Sequence, residues 1–410
     1  MSALAESLPR MDHGARIERL RSVLAEARSN GDRCDALLVT HLTNVRYLSG
    51  FTGSAGLLLL LPEEVVFVTD GRYGAQAERQ LAGLDVRIEI SADRQREIIS
   101  GAVRGGMGSA LGSALGFEGT TIGWDRHRTY ATEWFEGVDL VPTFGLVEDL
   151  RIVKDNAEIE RIRLAAAIAD TALASLRRTL ADGPTEEEFG LALDTEMRRL
   201  GASGPSFETI VASGPNSAVP HHRPTSRHIT DGDLVVLDFG ALLDGYCSDM
   251  TRTVLVGDGS DAQHHQLDVV LAAQAAGVDR VVAGVDTSDV DAACREVIEA
   301  AGWGERFTHG TGHGVGLDIH EAPRVARTSG DTLAAGQVVT VEPGVYLTGV
   351  GGVRIEDSVV VTADGCVPLT LTPKDPSIGL SWQPSPLRIS RTEPPSTSTR
   401  GSTRSSSSST

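Results

Sequence analysis

A chain of 410 residues, 40% of them hydrophobic and 23% charged, is too long for one ordinary core and reads as a globular protein of two domains. Its formal net charge of -19 argues against nucleic acid or an anionic membrane as the main partner. No apolar run is long enough to span a bilayer, and Met1 to Arg10 lack the basic and apolar regions of a secretory signal. Cys34, Cys247, Cys294 and Cys366 are scattered with no C-x-x-C pair, which suits reduced thiols in the cytoplasm.

Residues 1–10 are expected to be a flexible N-terminus and residues 11–150 an α/β domain. Strand patterns fall at Ala36 to Thr40, Val45 to Leu48, Leu57 to Leu61, Val65 to Thr69 and Val86 to Ile90. Helical patterns fall at Tyr73 to Leu81 and Asp93 to Val103. This region has neither a nucleotide fingerprint nor an obvious acid cluster, and the polar stretch from Asn44 to Ser54 is read as scaffold.

The texture changes near Leu150, and residues 151–372 form the second unit. Asp155-x-x-Glu158 is a capping box ahead of apolar positions at helical spacing from Ile159 to Leu180, and Thr185-x-x-Glu188 caps a second helix ending near Gly201. Gly232 to Asp249 then reads as a β-hairpin with Asp244-Gly245 at its turn. That turn sets Asp249 opposite Gly240 and puts Asp238 on the same face, roughly 7–8 Å away as a diagonal neighbour. Two such carboxylates beside apolar strands repel unless a positive charge lies between them. Helices are expected again at Gln263 to Val282 and Asp289 to Ala301, with Ser288-x-x-Asp291 as cap of the latter.

His309-Gly-Thr-Gly-His313-Gly-Val-Gly has its histidines four apart, but the intervening glycines make a helix improbable, so the run is a loop or irregular strand; His320 follows shortly after. Gly336-Gln-Val-Val-Thr-Val-Glu342-Pro-Gly344 then repeats the layout of Gly232 to Gly240, and the next strand carries Glu356 where the first hairpin carries Asp249. The order helix pair, hairpin, helix pair, hairpin indicates a duplicated α+β unit in which two hairpins bring four acids to one centre, with a histidine of the glycine-rich run adding a nitrogen ligand. From Pro373 to Thr410 the composition collapses to Ser, Thr, Pro and Arg, and this tail is expected to be disordered.

Together, Leu237-Asp238-Phe-Gly, Ser248-Asp249-Met-Thr-Arg-Thr, His309-Gly-Thr-Gly-His313, Val341-Glu342-Pro-Gly and Arg354-Ile-Glu356-Asp resemble the pita-bread metallopeptidases, in particular their proline-specific branch of Xaa-Pro aminopeptidases and Xaa-Pro dipeptidases (prolidases). The resemblance spans about residues 11 to 372 and implies a pseudo-two-fold pita-bread domain preceded by a creatinase-type N-terminal domain. It implies two divalent metal ions, with Asp249 and Glu356 bridging them, Asp238 on one, and His313 and Glu342 on the other. It further implies His221, His320, Arg354 and, more weakly, His309 as groups contacting substrate or supporting catalysis; His222 is the less favoured neighbour of His221. Dimerisation is usual in that family, though no residue here specifies a homodimer.

Four carboxylates and one imidazole make a hard, oxygen-rich set, favouring manganese, with cobalt or zinc as substitutes. The resemblance implies attack by a metal-activated water on the bond between an N-terminal residue and proline, with Glu342 taking the water's proton. The substrates would be peptides with proline at the second position, and the Xaa-Pro dipeptidase reading uses the same site. Methionine aminopeptidases are disfavoured by Arg-Ile-Glu356-Asp where they carry Gln-Phe-Glu-His. Creatinase and a non-catalytic binding protein are disfavoured because none of the five ligand positions is lost.

Overall fold

A computed structural model describes residues 8–29, 34–107, 114–379, 382–384 and 387. In the N-terminal domain, β1 (Ala36–Val39), β2 (Leu57–Leu60), β3 (Val65–Thr69), β4 (Arg87–Ile90), β5 (Ala114–Glu118) and β6 (Asp139–Thr143) form one mixed sheet in the order β4-β3-β2-β1-β5-β6. Alternate residues supply its two faces. Leu37, Val39, Leu58, Leu60 and Phe67 join one apolar cluster with Ile17 and Leu20, whereas Leu38, Leu59, Val66 and Val68 join another with Ile99 and Val103. Burial on both faces is why these strands read as continuous apolar runs. Val45 to Leu48, expected as a strand, instead belongs to the helix Leu42–Ser49, which Gly50 closes at φ 74 by donating its N–H to the Arg46 carbonyl. So short a run, Val45-Arg-Tyr-Leu48, fits either period, and the glycine cap decided between them.

The C-terminal domain opens with the helices Asn156–Leu176 and Glu186–Arg199, each started by the expected capping box. Each cap contributes about 1 kcal/mol. The second half opens with the helices Asp261–Arg280 and Thr287–Ala300. The former begins before Gln263 because Ser260 and Gln263 form a further capping box. The Ser288 cap does not form. Asp286 holds the N-cap position, with its carboxylate turned to the Thr332 hydroxyl, while Asp291 lies buried and accepts the N–H and hydroxyl of Thr311.

Both hairpins form, and both are split. In the first half β7 (Gly204–Pro205), β8 (Ile210–Ser213), β9 (Leu234–Phe239), β10 (Ala241–Leu243), β11 (Tyr246–Cys247) and β12 (Met250–Leu255) make two sheets, ordered β12-β9-β8 and β11-β10-β7. The hairpin passes from one sheet to the other at Gly240. A Cβ there would lie 1.8 Å from the Ser248 carbonyl oxygen, so only glycine fits. Asp244 and Gly245 make the turn with φ of 45 and 79, as the dipeptide predicts.

The second half repeats this plan. There β13 (Gly312–Gly314), β14 (Glu321–Val325), β15 (Val338–Val341), β18 (Asp357–Val361) and β19 (Cys366–Pro368) form a sheet ordered β14-β13-β15-β18-β19, beside the separate pair β16 (Gly344–Leu347) and β17 (Gly351–Arg354). The halves are sewn together where β12 meets the segment 354–358. Glu356 N–H donates to the Thr251 carbonyl at 3.1 Å, the Thr253 hydroxyl to the Arg354 carbonyl at 2.8 Å and the Ser358 hydroxyl to the Asp249 carbonyl at 2.9 Å.

The packed chain runs past both limits drawn from sequence. Leu8 is buried in the first helix-pair cluster, and the Pro9 carbonyl accepts from Arg161 at 3.0 Å. Beyond residue 372, Lys374 pairs with Asp357 at 2.5 Å and the Pro376 carbonyl accepts the Leu255 N–H at 2.9 Å. The remainder of the expected flexible N-terminus, residues 1–7, and most of the expected tail lie outside the described residues.

Candidate metal centre

Asp249, Glu342 and Glu356 sit where the hairpins break between strands, whereas Asp238 projects from within β9. Asp238, Asp249, Glu342, Glu356, His313, His309, His221, His320 and Arg354 all line one cavity of about 640 Å³. The tightest group is Asp249, His313 and Glu356, which offer ligand atoms within 4.8 Å of one another. Glu342 stands beside it, with Oε1 3.6 Å from His313 Nε2, the same distance that separates this nitrogen from Asp249 Oδ2. Asp238 is at the wall, but its Oδ2 accepts a 2.5 Å hydrogen bond from Arg354 Nη2.

The register differs between the halves. Asp238 pairs across the ladder with Thr251, so Asp249 is diagonal to it as the sequence predicts. In the second hairpin the pairs Val341 with Asp357 and Gly344 with Arg354 bracket Glu342 and Glu356, which therefore stand directly opposite.

Three features test whether these residues suit divalent metal. His313 Nδ1–H donates to the Gly314 carbonyl at 3.0 Å, which leaves Nε2 as a bare lone pair aimed at two carboxylates. Burial holds this imidazole down to about 4, so it stays neutral and cannot balance those acids itself. Glu356 Oε2 accepts from the Thr251 hydroxyl at 2.7 Å, but the buried Oε1 has no hydrogen-bond partner among the described residues. Burial, then the charges of Glu356, Asp238 and Glu342, push Asp249 well above the usual carboxylate range. Glu356 is raised by burial and by Glu342 and Asp238, and Glu342 is pushed up to about 8, mainly by burial. A lone pair facing acids, an orphaned oxygen and crowded carboxylates share one remedy, a cation held among them. The set fits.

Sequence reasoning named Arg354 and His309 but missed the residue that joins them. Arg354 Nη1 donates to the Tyr346 hydroxyl at 2.8 Å, and that hydroxyl lies 2.9 Å from His309 Nε2. Because a guanidinium only donates, the Tyr346 proton goes to His309, whose own proton sits on Nδ1 and reaches the Gly310 carbonyl at 2.8 Å. The signal was the flanking glycines: a Cβ on Gly344 would lie 2.5 Å from the Tyr346 hydroxyl. Also missed was Glu186, wholly buried and holding the loop with His221. It accepts from Ser213, Asn216, Thr225 and, at 2.9 Å, His222, and these bonds hold it down to about 2 despite its burial. His222 is thus tied into the scaffold while His221 is exposed toward the cavity. His320 packs edge-on against His313, ring centroids 4.4 Å apart. Its neighbour Glu321 is held by Arg151 at 2.5 Å and Lys154 at 3.0 Å.

The chain is similar to known proteins over most of its length. Residues 160–363 match the model of metallopeptidase family M24, and residues 16–153 match that of the creatinase/prolidase N-terminal domain. A peptidase of Bacillus subtilis is 39% identical over 366 residues, 88% of this chain and 99% of that one. The chain belongs to metallopeptidase family M24. Among solved M24-like structures, an Xaa-Pro dipeptidase from Bacillus anthracis superposes with a TM-score of 0.82 at 40% identity, covering 89% of this chain and 99% of its own. An X-Pro aminopeptidase from Thermotoga maritima gives 0.79 at 33% identity, covering 87% and 99%. The protein is therefore an M24 peptidase of Xaa-Pro dipeptidase/aminopeptidase type, with the creatinase-type and pita-bread domains that its motifs imply.

Proposed function

We propose that this peptidase uses two divalent ions, manganese first, to hydrolyse the bond between an N-terminal residue and a following proline. The observation carrying this reading is the bare His313 Nε2 facing Asp249 and Glu342 beside the orphaned Glu356 Oε1. Asp249 and Glu356 would hold both ions, Asp238 one, and His313 with Glu342 the other. Such ions supply an acidified water and polarise the scissile carbonyl. Glu342, whose carboxyl has its affinity for protons raised by burial, takes the proton from the attacking water. Arg354 fixes the Asp238 carboxylate, and His221 and His320 at the cavity wall stabilise charge developing on the substrate carbonyl. His309 lines the same wall and is oriented there by Tyr346. The free cysteines, with no described helix long and apolar enough to cross a membrane, support a cytoplasmic setting.

A second reading, Xaa-Pro dipeptidase, is favoured by Arg324. It lies directly across the ladder from His313, lines the same cavity, is exposed and forms no ion pair among the described residues. A guanidinium so placed suits the free carboxylate of a dipeptide. Manganese-loaded enzyme is to be offered Gly-Pro and Gly-Pro-Phe. Cleavage of both supports the aminopeptidase, cleavage of Gly-Pro alone the dipeptidase, and cleavage of neither removes the proline assignment.

A further inference from the structure

A second cavity, of about 910 Å³, lies between the N-terminal and C-terminal domains, on the far side of the first hairpin turn. In a chain with a net charge of -19 its wall is strongly basic: Arg16, Arg46, Arg79, Arg161 and Arg198 face it against a single carboxylate, Asp244. Arg16 is balanced from behind by Asp155 at 2.8 Å and Glu158 at 3.2 Å. Asp244 is shared, its Oδ1 taking Arg46 at 3.1 Å and its Oδ2 taking Arg161 at 2.8 Å. Arg79 and Arg198 are exposed and form no ion pair among the described residues. Arg198 donates to the Ser203 carbonyl, and Asp194, the acid that senses its charge, is bonded instead to the Thr209 hydroxyl at 2.5 Å. Counting Arg16 with its two carboxylates, five guanidiniums meet three carboxylates, an excess of two positive charges.

Two further features describe the wall. His13, on the wall, donates through Nδ1 to the Tyr47 carbonyl at 3.0 Å; burial, with Arg16 and Arg161, holds its imidazole below the usual value against the opposing pull of that bond and of Asp155. Thr52 is bracketed by Gln76 and Gln80, whose amide groups each donate to its hydroxyl at 2.9 Å, so the rim near Arg79 is polar and already ordered. Like charges kept together in a cleft with low-dielectric walls focus potential and attract counter-charge. Guanidinium forks take phosphate or carboxylate oxygens in pairs. Clefts between domains of this volume are of a size for small ligands.

We propose that this interdomain cavity binds a small organic polyanion, with at least two negative charges carried on phosphate or carboxylate oxygens, at a site separate from the metal centre. Its contacts are Arg79, Arg198 and whichever of Arg46 and Arg161 the ligand draws from Asp244. The test is isothermal titration of the full chain with two spaced-charge probes, fructose 1,6-bisphosphate for phosphate and tricarballylate for carboxylate. Saturable binding by at least one probe is expected, and the tighter arm names the ligand's chemistry. The Asp249→Ala chain should bind equally well, and Arg79→Ala/Arg198→Ala at least about tenfold more weakly, with Lys at both positions recovering part of the loss. Should the double variant fail to fold, Arg79→Gln alone, on an exposed position of the helix Gly74–Gln80, carries the same test. The proposal is overturned by no binding at millimolar probe, by equal affinity in the arginine variants, or by loss of binding in Asp249→Ala, which would put the anion at the metal centre. An altered sedimentation coefficient in the double variant also overturns it, because the basic face would then belong to a second copy of the chain.

Discussion

The two hairpins of the C-terminal domain share a plan and differ in how they present their acids. In the first, Asp238 and Asp249 are staggered by two positions, and Asp238 is bonded to Arg354. In the second, Glu342 and Glu356 stand opposite, and Glu356 keeps one oxygen free while the Thr251 hydroxyl holds the other. Arg354 comes from the second hairpin and Thr251 from the first, so each half orients a carboxylate of the other. The lesson is that a duplicated unit becomes one site through exchanged supports, since one acid of each hairpin is held by a side chain of the other.

The sharpest way to break this comparison is to remove the acids that both halves approach. Asp249→Ala and Glu356→Ala should each lower bound metal and reduce turnover by more than about 100-fold, beyond the usual cost of losing a supporting partner. Metal stoichiometry by mass spectrometry checks this, and full loading in either variant would sink the bridging role. The exchanged supports should matter less. Arg354→Ala and Thr251→Val are expected to cost roughly 10–100-fold in kcat/KM or metal affinity, with a Thr251→Ser variant close to the parent chain. Equal activity in Thr251→Val would show that Glu356 needs no help from the first half.

Protons offer a third probe. Glu342 is raised from 4.5 to about 8 in the folded, metal-free chain, so its folded state favours the neutral acid. Its contribution to stability is present below 4.5 and is lost as pH rises through about 8. The raised Asp249 and Glu356 act in the same direction. Chelated protein should therefore melt lower at pH 8 than at pH 5.5, and manganese should raise Tm more at the higher pH. A Tm gain from manganese that is the same at both pH values would contradict this crowding of carboxylates. Glu186 works with the opposite sign: held down to about 2, it supports the His221 loop above 4.5 and loses that effect as pH falls toward 2. Glu186→Gln should lower kcat more than it raises KM, a split that steady-state kinetics resolves.

The smallest effects compare how the helices of the two halves begin. Thr185 caps its helix with its side chain, so Thr185→Ala should cost about 1 kcal/mol in urea unfolding. Asp286 makes no cap hydrogen bond, and Asp286→Ala should stay within about 0.5 kcal/mol.

Reading the sequence alone carried the argument far where chemistry is local. Asp155, Thr185 and the Asp244-Gly245 turn announce themselves because a cap or tight turn is decided within four residues. The repeat of Gly232 to Gly240 at Gly336 to Gly344 disclosed two acid-bearing hairpins for the same reason, since side-chain alternation needs no partner to be read. Val45 to Leu48 failed because a run of only four residues carries no period of its own.

Which acid is free, which is held and by whom was settled only by tertiary structure. Nothing near Glu356 in the chain marks Thr251 as its donor, and nothing near Asp238 marks Arg354. Those pairs are more than a hundred positions apart, and they meet because the hairpins cross where β12 touches the segment 354–358. The basic cavity between the domains has the same origin: its arginines are dispersed along the sequence, and only the docking of two separately legible domains sets them face to face. Residue type and spacing thus determine which groups a strand can present, while the packing of strands from distant segments determines what those groups meet.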